Sequence, residues 1–123
     1  MILFVDGTLT INSKVTVSPG GFLAFIAKGI TIGQSVGDPP VANPNADIEG
    51  VYVTDGMFTV NSGTNQFVGK GMFIADRFSL NRNLGGPTNI DYPSELFLYD
   101  PRFLVSMPEE MQETPILWQE INP

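Results

Sequence analysis

Few side chains here could do chemistry. The chain has no histidine and no cysteine, which excludes imidazole and thiolate routes to nucleophilic catalysis, acid–base work and metal binding. Carboxylates, cationic nitrogens and phenols remain. Asp38, Asp47 and Glu49 lie close together in sequence and could gather a hard cation such as calcium through oxygen ligands. They do not follow the Asp-x-Asp-x-Asp-Gly loop pattern, so solvated loop charge is the preferred reading. Gly69-Lys70-Gly71 lacks the Gly-x-x-x-x-Gly-Lys-Ser/Thr form of a phosphate cradle and opens no helix pattern. Tyr52, Tyr92 and Tyr99 are the phenols that could stack on a sugar if exposed. No catalytic, cofactor-binding or metal-binding residue is assigned from this inventory, and no cofactor is expected.

The composition narrows the partners. Thirteen acidic residues face six basic ones, giving a net charge of −7. Such a surface repels nucleic acid and anionic membranes, since phosphate binding needs clustered Lys and Arg. No apolar run approaches the roughly 18 residues of a membrane span. Met1-Ile2-Leu3-Phe4-Val5 has no basic flank and meets Asp6-Gly7 at once, unlike a signal peptide. The chain therefore starts inside a strand pattern, which we read as a piece of something longer.

The elements that must position these residues are strands. A core-forming fraction of 42% hydrophobic residues, thirteen glycines and ten prolines make a single domain of strands and turns. Leu9, Ile11, Val15 and Val17 alternate with Thr8, Thr10 and Thr16, the period-two mark of a half-buried strand. Phe22 to Ala27 is a nearly continuous apolar run, expected at the centre of a sheet covered on both faces. Gly29 to Gly33 is one residue short of its relatives, which predicts a register adjustment there.

One phrase recurs. Asp55-Gly56-Met57-Phe58-Thr59-Val60 returns as Lys70-Gly71-Met72-Phe73-Ile74-Ala75, with looser copies at Asp6-Gly7-Thr8-Leu9 and Lys28-Gly29-Ile30-Thr31. Gly7, Gly29, Gly56 and Gly71 are thus candidate corner residues of a structural repeat. Val51, Val53, Phe58, Val60, Phe67, Phe73, Phe78 and Leu80 are the candidate inward positions. Residues 37–47, with three prolines, are expected to form an insertion loop outside the repeat scaffold.

After 86 the composition turns acidic, and 87–123 is expected to be a capping segment on repeats 1–86. Glu95 to Tyr99 reads as a last strand. Asp100-Pro101 starts a helical turn through Val105, and Ser106-Met107-Pro108-Glu109 fits a capping box for a short helix. Leu96, Phe97, Phe103 and Trp118 supply the apolar face of this cap, joined by Leu104, Met111 and Leu117.

Short strands at irregular offsets with small corner residues resemble a right-handed parallel β-helix, here of three to four coils. The chain also resembles the C-terminal part of bacterial cell-surface and pilus-associated β-helix proteins. The likeness lies in the Gly-x-Phe-x-Ala-like strands, Phe78-Ser79-Leu80-Asn81-Arg82-Asn83-Leu84, Pro93-Ser94-Glu95-Leu96-Phe97 and Trp118-Gln119-Glu120, across most of residues 22–123. That resemblance implies a non-catalytic extracytoplasmic scaffold for adhesion or envelope assembly. It implies a protein or a cell-surface carbohydrate as partner and an extracellular or cell-surface location. Bactofilin-like polymers stack similarly but are more regular. Polysaccharide lyases and hydrolases of the β-helix class use Asp, Arg or Lys along one face, and Asp55, Lys70, Asp76, Arg77 and Arg82 are the residues that would have to converge. A carbohydrate-binding module is the further alternative.

Overall fold

The computed structural model describes residues 1–109. Within them the chain forms seven strands, β1 (Ile2–Ile11), β2 (Ala24–Ile32), β3 (Ile48–Thr54), β4 (Met57–Gly63), β5 (Phe67–Ile74), β6 (Arg77–Arg82) and β7 (Glu95–Tyr99). Two single-turn helices accompany them, α1 (Thr88–Asp91) and α2 (Arg102–Val105). Every pairing between these strands is parallel, and the sheet curls into a half-barrel. Parallel neighbours cannot be joined by a tight hairpin. The chain must therefore travel away from each strand and return before it can pair again.

It does so along two ladders. In the first, the N-terminal halves of β1 and β2 are followed by β3, β5 and β7, so that Phe4, Ile26, Val53 and Ile74 stand in one row and Phe25, Tyr52 and Phe73 in the next. In the second, the C-terminal halves of β1 and β2 are followed by β4 and β6, which aligns Leu9, Ile30, Phe58 and Phe78. The long strand β2 belongs to both ladders and is central, as its apolar run predicts. The extra residue in the register sits in β1, where Asp6-Gly7 bulges opposite Lys28, rather than within Gly29 to Gly33.

Rows facing the interior carry rings. Phe25 stacks on Tyr52 at 5.4 Å and Tyr52 on Phe73 at 5.3 Å between centroids, and Phe97 of β7 meets Phe73 edge-on at 5.0 Å. Such pairs contribute about 0.5–1.5 kcal/mol each beyond the area they bury. Ile30, Ile32, Ile48, Phe58, Val60 and Phe67 complete the same core. Phe78 and Leu80 keep the inward parity but stay 46% and 45% exposed, whereas Val51 and Val53, expected inward, face the outer side of the first ladder, because Tyr52 between them takes the interior. Phe78 and Leu80 lie on β6, the last strand of its ladder among the described residues.

The segment after 86 is more than a cover, because β7 is itself a strand of the sheet, paired with β5 from Phe67↔Glu95 to Gly71↔Tyr99. Leu96 is half-buried on β7, and Phe97 packs on the end of the aromatic core. Phe103 goes elsewhere, onto the outer side of the first ladder against Val17, Ala24 and Val51. The Asp100 carboxylate accepts the Arg102 N–H at 3.0 Å where α2 starts. The expected short helix after the Ser106–Glu109 capping box, with Met111, and the apolar anchor with Leu117 and Trp118 lie outside the described residues, from position 110 onward.

The four repeat glycines do not occupy equivalent places. Gly7 and Gly56 are at the corners between the ladders, Gly29 follows that corner within β2, and Gly71 lies inside β5, stacked on Gly50. Gly71 has φ 145°, and a Cβ there would stand 1.9 Å from the Gly50 carbonyl oxygen. At Gly29 a Cβ would meet the Thr8 side chain at 3.3 Å and the Met57 carbonyl oxygen at an ordinary 3.8 Å. Gly71→Ala should therefore cost about 2 kcal/mol or more in urea unfolding, while Gly29→Ala stays within about 1 kcal/mol of the parent. Equal, small effects at both positions would show that the strands do not approach as described.

Candidate functional site

The loop 37–47 is tied down at both ends. Asp38 and Gln66 exchange backbone hydrogen bonds at 3.2 and 2.8 Å, while the Asp47 N–H donates to the Val68 carbonyl at 2.7 Å and its own carbonyl accepts from Val15 at 3.0 Å. The Asp47 Oδ2 accepts the Val68 N–H at 2.8 Å. One aspartate thus links three passes of the chain, and it is buried although the sequence places it at the end of an exposed loop. Pro39, Val41, Asn43 and Asn45 arch over a cavity of about 350 Å³ whose floor includes Asp47, Gln66 and Val68.

Lys14 reaches the same place from the first pass. Its Nζ forms an ion pair with Asp38 and lies 3.7 Å from Asp47 Oδ1, too far for a hydrogen bond. Asp47 Oδ1 is buried and has no hydrogen-bond donor among the described residues. Burial raises the Asp47 pKa above its ordinary value, against the opposing pull of the Val68 N–H and Lys14. The chemistry on offer is hydrogen bonding. Carboxylates and amides line a small cavity together with Pro39, Val41, Pro44 and Val68, a mixture suited to hydroxyl groups on an apolar frame.

Glu49 does not join this group. Its Oε1 accepts the Val17 N–H at 3.0 Å, and its Oε2 faces Arg102 at 3.4 Å. The three carboxylates considered for a cation are therefore divided between two places. Among the described residues no group of three or more carboxylates could hold a metal ion.

The charged residues considered for polysaccharide cleavage are dispersed as well. Asp55 and Asp76 line an open groove of about 780 Å³ together with Asp6 and Lys28, and Lys28 pairs with Asp6 at 2.6 Å. Arg77 lies beside Asp76 at 3.6 Å. Lys70 lines a different hollow, with Glu49 and Asn45. Arg82 is buried, donating to the carbonyls of Asn61 at 2.7 Å, Gly33 at 2.8 Å and Asn65 at 3.3 Å, with its own N–H on Glu95 Oε2 at 2.7 Å. Burial lowers its pKa, opposed by Glu95 and Asp47.

Of the three tyrosines, Tyr52 is in the core with its hydroxyl donating to the Glu49 carbonyl at 3.0 Å, and burial raises its pKa. Tyr92 is half-buried. Tyr99 is 60% exposed and borders an apolar depression of about 620 Å³ with Phe78, Leu80 and Phe97.

Sequence reasoning missed Arg82 and Asp47 as fasteners. Arg82 did carry a signal, since Phe78, Leu80 and Arg82 share one parity in β6 and a charge at an inward parity must find partners. Compared with protein-family models, curated proteins and solved structures, the chain matches none.

A raised Asp47 pKa fixes the sign of its pH dependence. The native state holds the proton more tightly than the unfolded chain, so stability declines as pH rises from the ordinary carboxylate value of 3.8 to the folded pKa. Asp47→Asn keeps an acceptor for Val68 and removes that decline. The stability of the variant relative to the parent should grow with pH above about 4 and then level off. A difference that shrinks with pH would mean that Lys14 holds the carboxylate ionised.

Proposed function

We propose that the chain is a non-catalytic scaffold or surface-display module of a larger extracytoplasmic protein. In this reading its two ladders are two faces of a parallel β-helix. Each pass through the first ladder, the second ladder and a return loop is one coil, and the strong handedness rule for parallel crossovers makes the coil right-handed. The observation that carries the reading is where the charged side chains go. Arg82, Asp47 and Glu49 hold main-chain groups of neighbouring passes, and Asp100 holds the Arg102 N–H where α2 starts. None of them converges with another on a cleft in the way acid–base cleavage requires.

The partners that fit are a protein or a cell-surface carbohydrate, presented to the outer faces and loops. The low cation count supports neither nucleic acid nor an anionic membrane surface. Among the described residues no helix is long and apolar enough to cross a membrane. A carbohydrate-binding module is the second reading. The amide- and carboxylate-lined cavity beneath loop 37–47 and the exposed Tyr99 favour it.

The test is a screen against acidic and neutral polysaccharides, with and without calcium, scoring both turnover and binding. The scaffold reading expects no turnover. Reproducible cleavage that is lost on changing Asp76 or Arg77 would overturn it. Retention on a polysaccharide without cleavage, weakened by Asn45→Ala or Tyr99→Ala, would select the second reading.

A further inference from the structure

The outward face of the first ladder is a continuous apolar surface that is only half covered. Alternate positions of these strands point into the aromatic core at Phe25, Tyr52 and Phe73, so the intervening rows face out. One outward row, Ile2, Ala24, Val51 and Met72, lies under Phe103 of α2. The seat is fixed by the Asp100 N–H on the Gly71 carbonyl at 3.4 Å and by the Ser106 hydroxyl on the Gly21 carbonyl at 3.3 Å. The next row, two residues along each strand, is Phe4, Ile26, Val53 and Ile74. Phe4 is 76% exposed and Ile74 41% exposed, and this row forms the floor of the 780 Å³ groove.

We propose that the C-terminal segment Pro115–Trp118 of this same chain seats in that groove, with Trp118 against the row Phe4, Ile26, Val53 and Ile74. Continuity of the chain argues for it. The polypeptide already crosses this face at Phe103, is anchored beside the first row at Ser106, and has fourteen residues left after Glu109. Adjacent outward rows are about 7 Å apart along a strand, whereas the ten residues from Ser106 to Ile116 can span roughly 30 Å when extended. Charge fixes which part of the segment enters. The groove is bordered by Asp6, Asp55 and Asp76 with Lys28 already paired, and the six residues between Glu113 and Glu120 carry no charge. The apolar stretch can enter while the glutamates stay in water. The segment then acts as a strap along the side of the sheet and not as a lid on the last strands.

Trp118 is the only tryptophan, so its fluorescence reports this seat directly. In the full chain its emission should be blue-shifted, and acrylamide quenching should be severalfold weaker than in the urea-unfolded chain, independent of protein concentration. Ile74→Asp, with folding checked by circular dichroism, should restore solvent-like emission and quenching. Phe4→Ser serves the same purpose if the first variant does not fold. Leu80→Asp, on the exposed end of the second ladder, should leave Trp118 protected. Three results would each overturn the proposal: full quenching in the parent chain, exposure of Trp118 by Leu80→Asp but not by the groove variants, or protection that appears only at high concentration. The last would assign the groove to a second copy.

Discussion

Parallel self-pairing is the constraint on which the rest of this structure depends. When a strand lies in parallel register on an earlier pass of the same chain, each side chain sits directly against its counterpart, and every row must be compatible with itself. Rings therefore stack on rings at Phe25, Tyr52 and Phe73, and a small hydroxyl row forms outside at Thr31, Thr59 and Ser79. Gly50 and Gly71 meet where two backbones come too close for any side chain. The interior is filled by these rows, which leaves outer faces and loops as the surfaces that can meet another molecule.

Where the chain leaves the ladders, main-chain groups lose their partners and must find others. Four charged side chains supply them. Asp47 stands in for a strand neighbour of Val68, Glu49 holds Val17, Asp100 starts α2, and Arg82 gathers three carbonyls from two returning segments. A guanidinium taken from water is costly unless its donors are satisfied, and removing one such partner from a buried network costs more than the network adds.

Much of this was legible in the sequence. The apolar run at Phe22 to Ala27 marks the central strand, Glu95 to Tyr99 marks the last one, and Asp100-Pro101 marks the turn that follows. The phase of the repeat was not legible. The copies at Asp55 and Lys70 fall at different places in their strands, Asp55-Gly56 just before β4 and Lys70-Gly71 inside β5, so Phe58 lies against Phe78 while Phe73 stacks on Tyr52. Return loops of unequal length set the true spacing, 27 residues from Ala24 to Val51 and 21 from Val51 to Met72. A fixed sequence period could not reveal that. The roles of Asp47 and Arg82 were hidden for a related reason, because their partners lie on other passes of the chain. The exposure of Phe78 and Leu80 follows from being last in a ladder, which residue type does not encode.

The most direct test of parallel self-pairing uses the absence of native cysteine. Thr31 and Thr59 are register partners on β2 and β4, at a separation typical of neighbouring strands and within disulfide reach. The double variant Thr31→Cys with Thr59→Cys should oxidise readily to an intramolecular disulfide while keeping the circular dichroism of the parent. The control, Thr31→Cys with Asn61→Cys, shifts the partner by two residues on the same face and should oxidise far more slowly. Equal or faster cross-linking in the control would contradict the register, and with it the stacking from which the account of this chain is built.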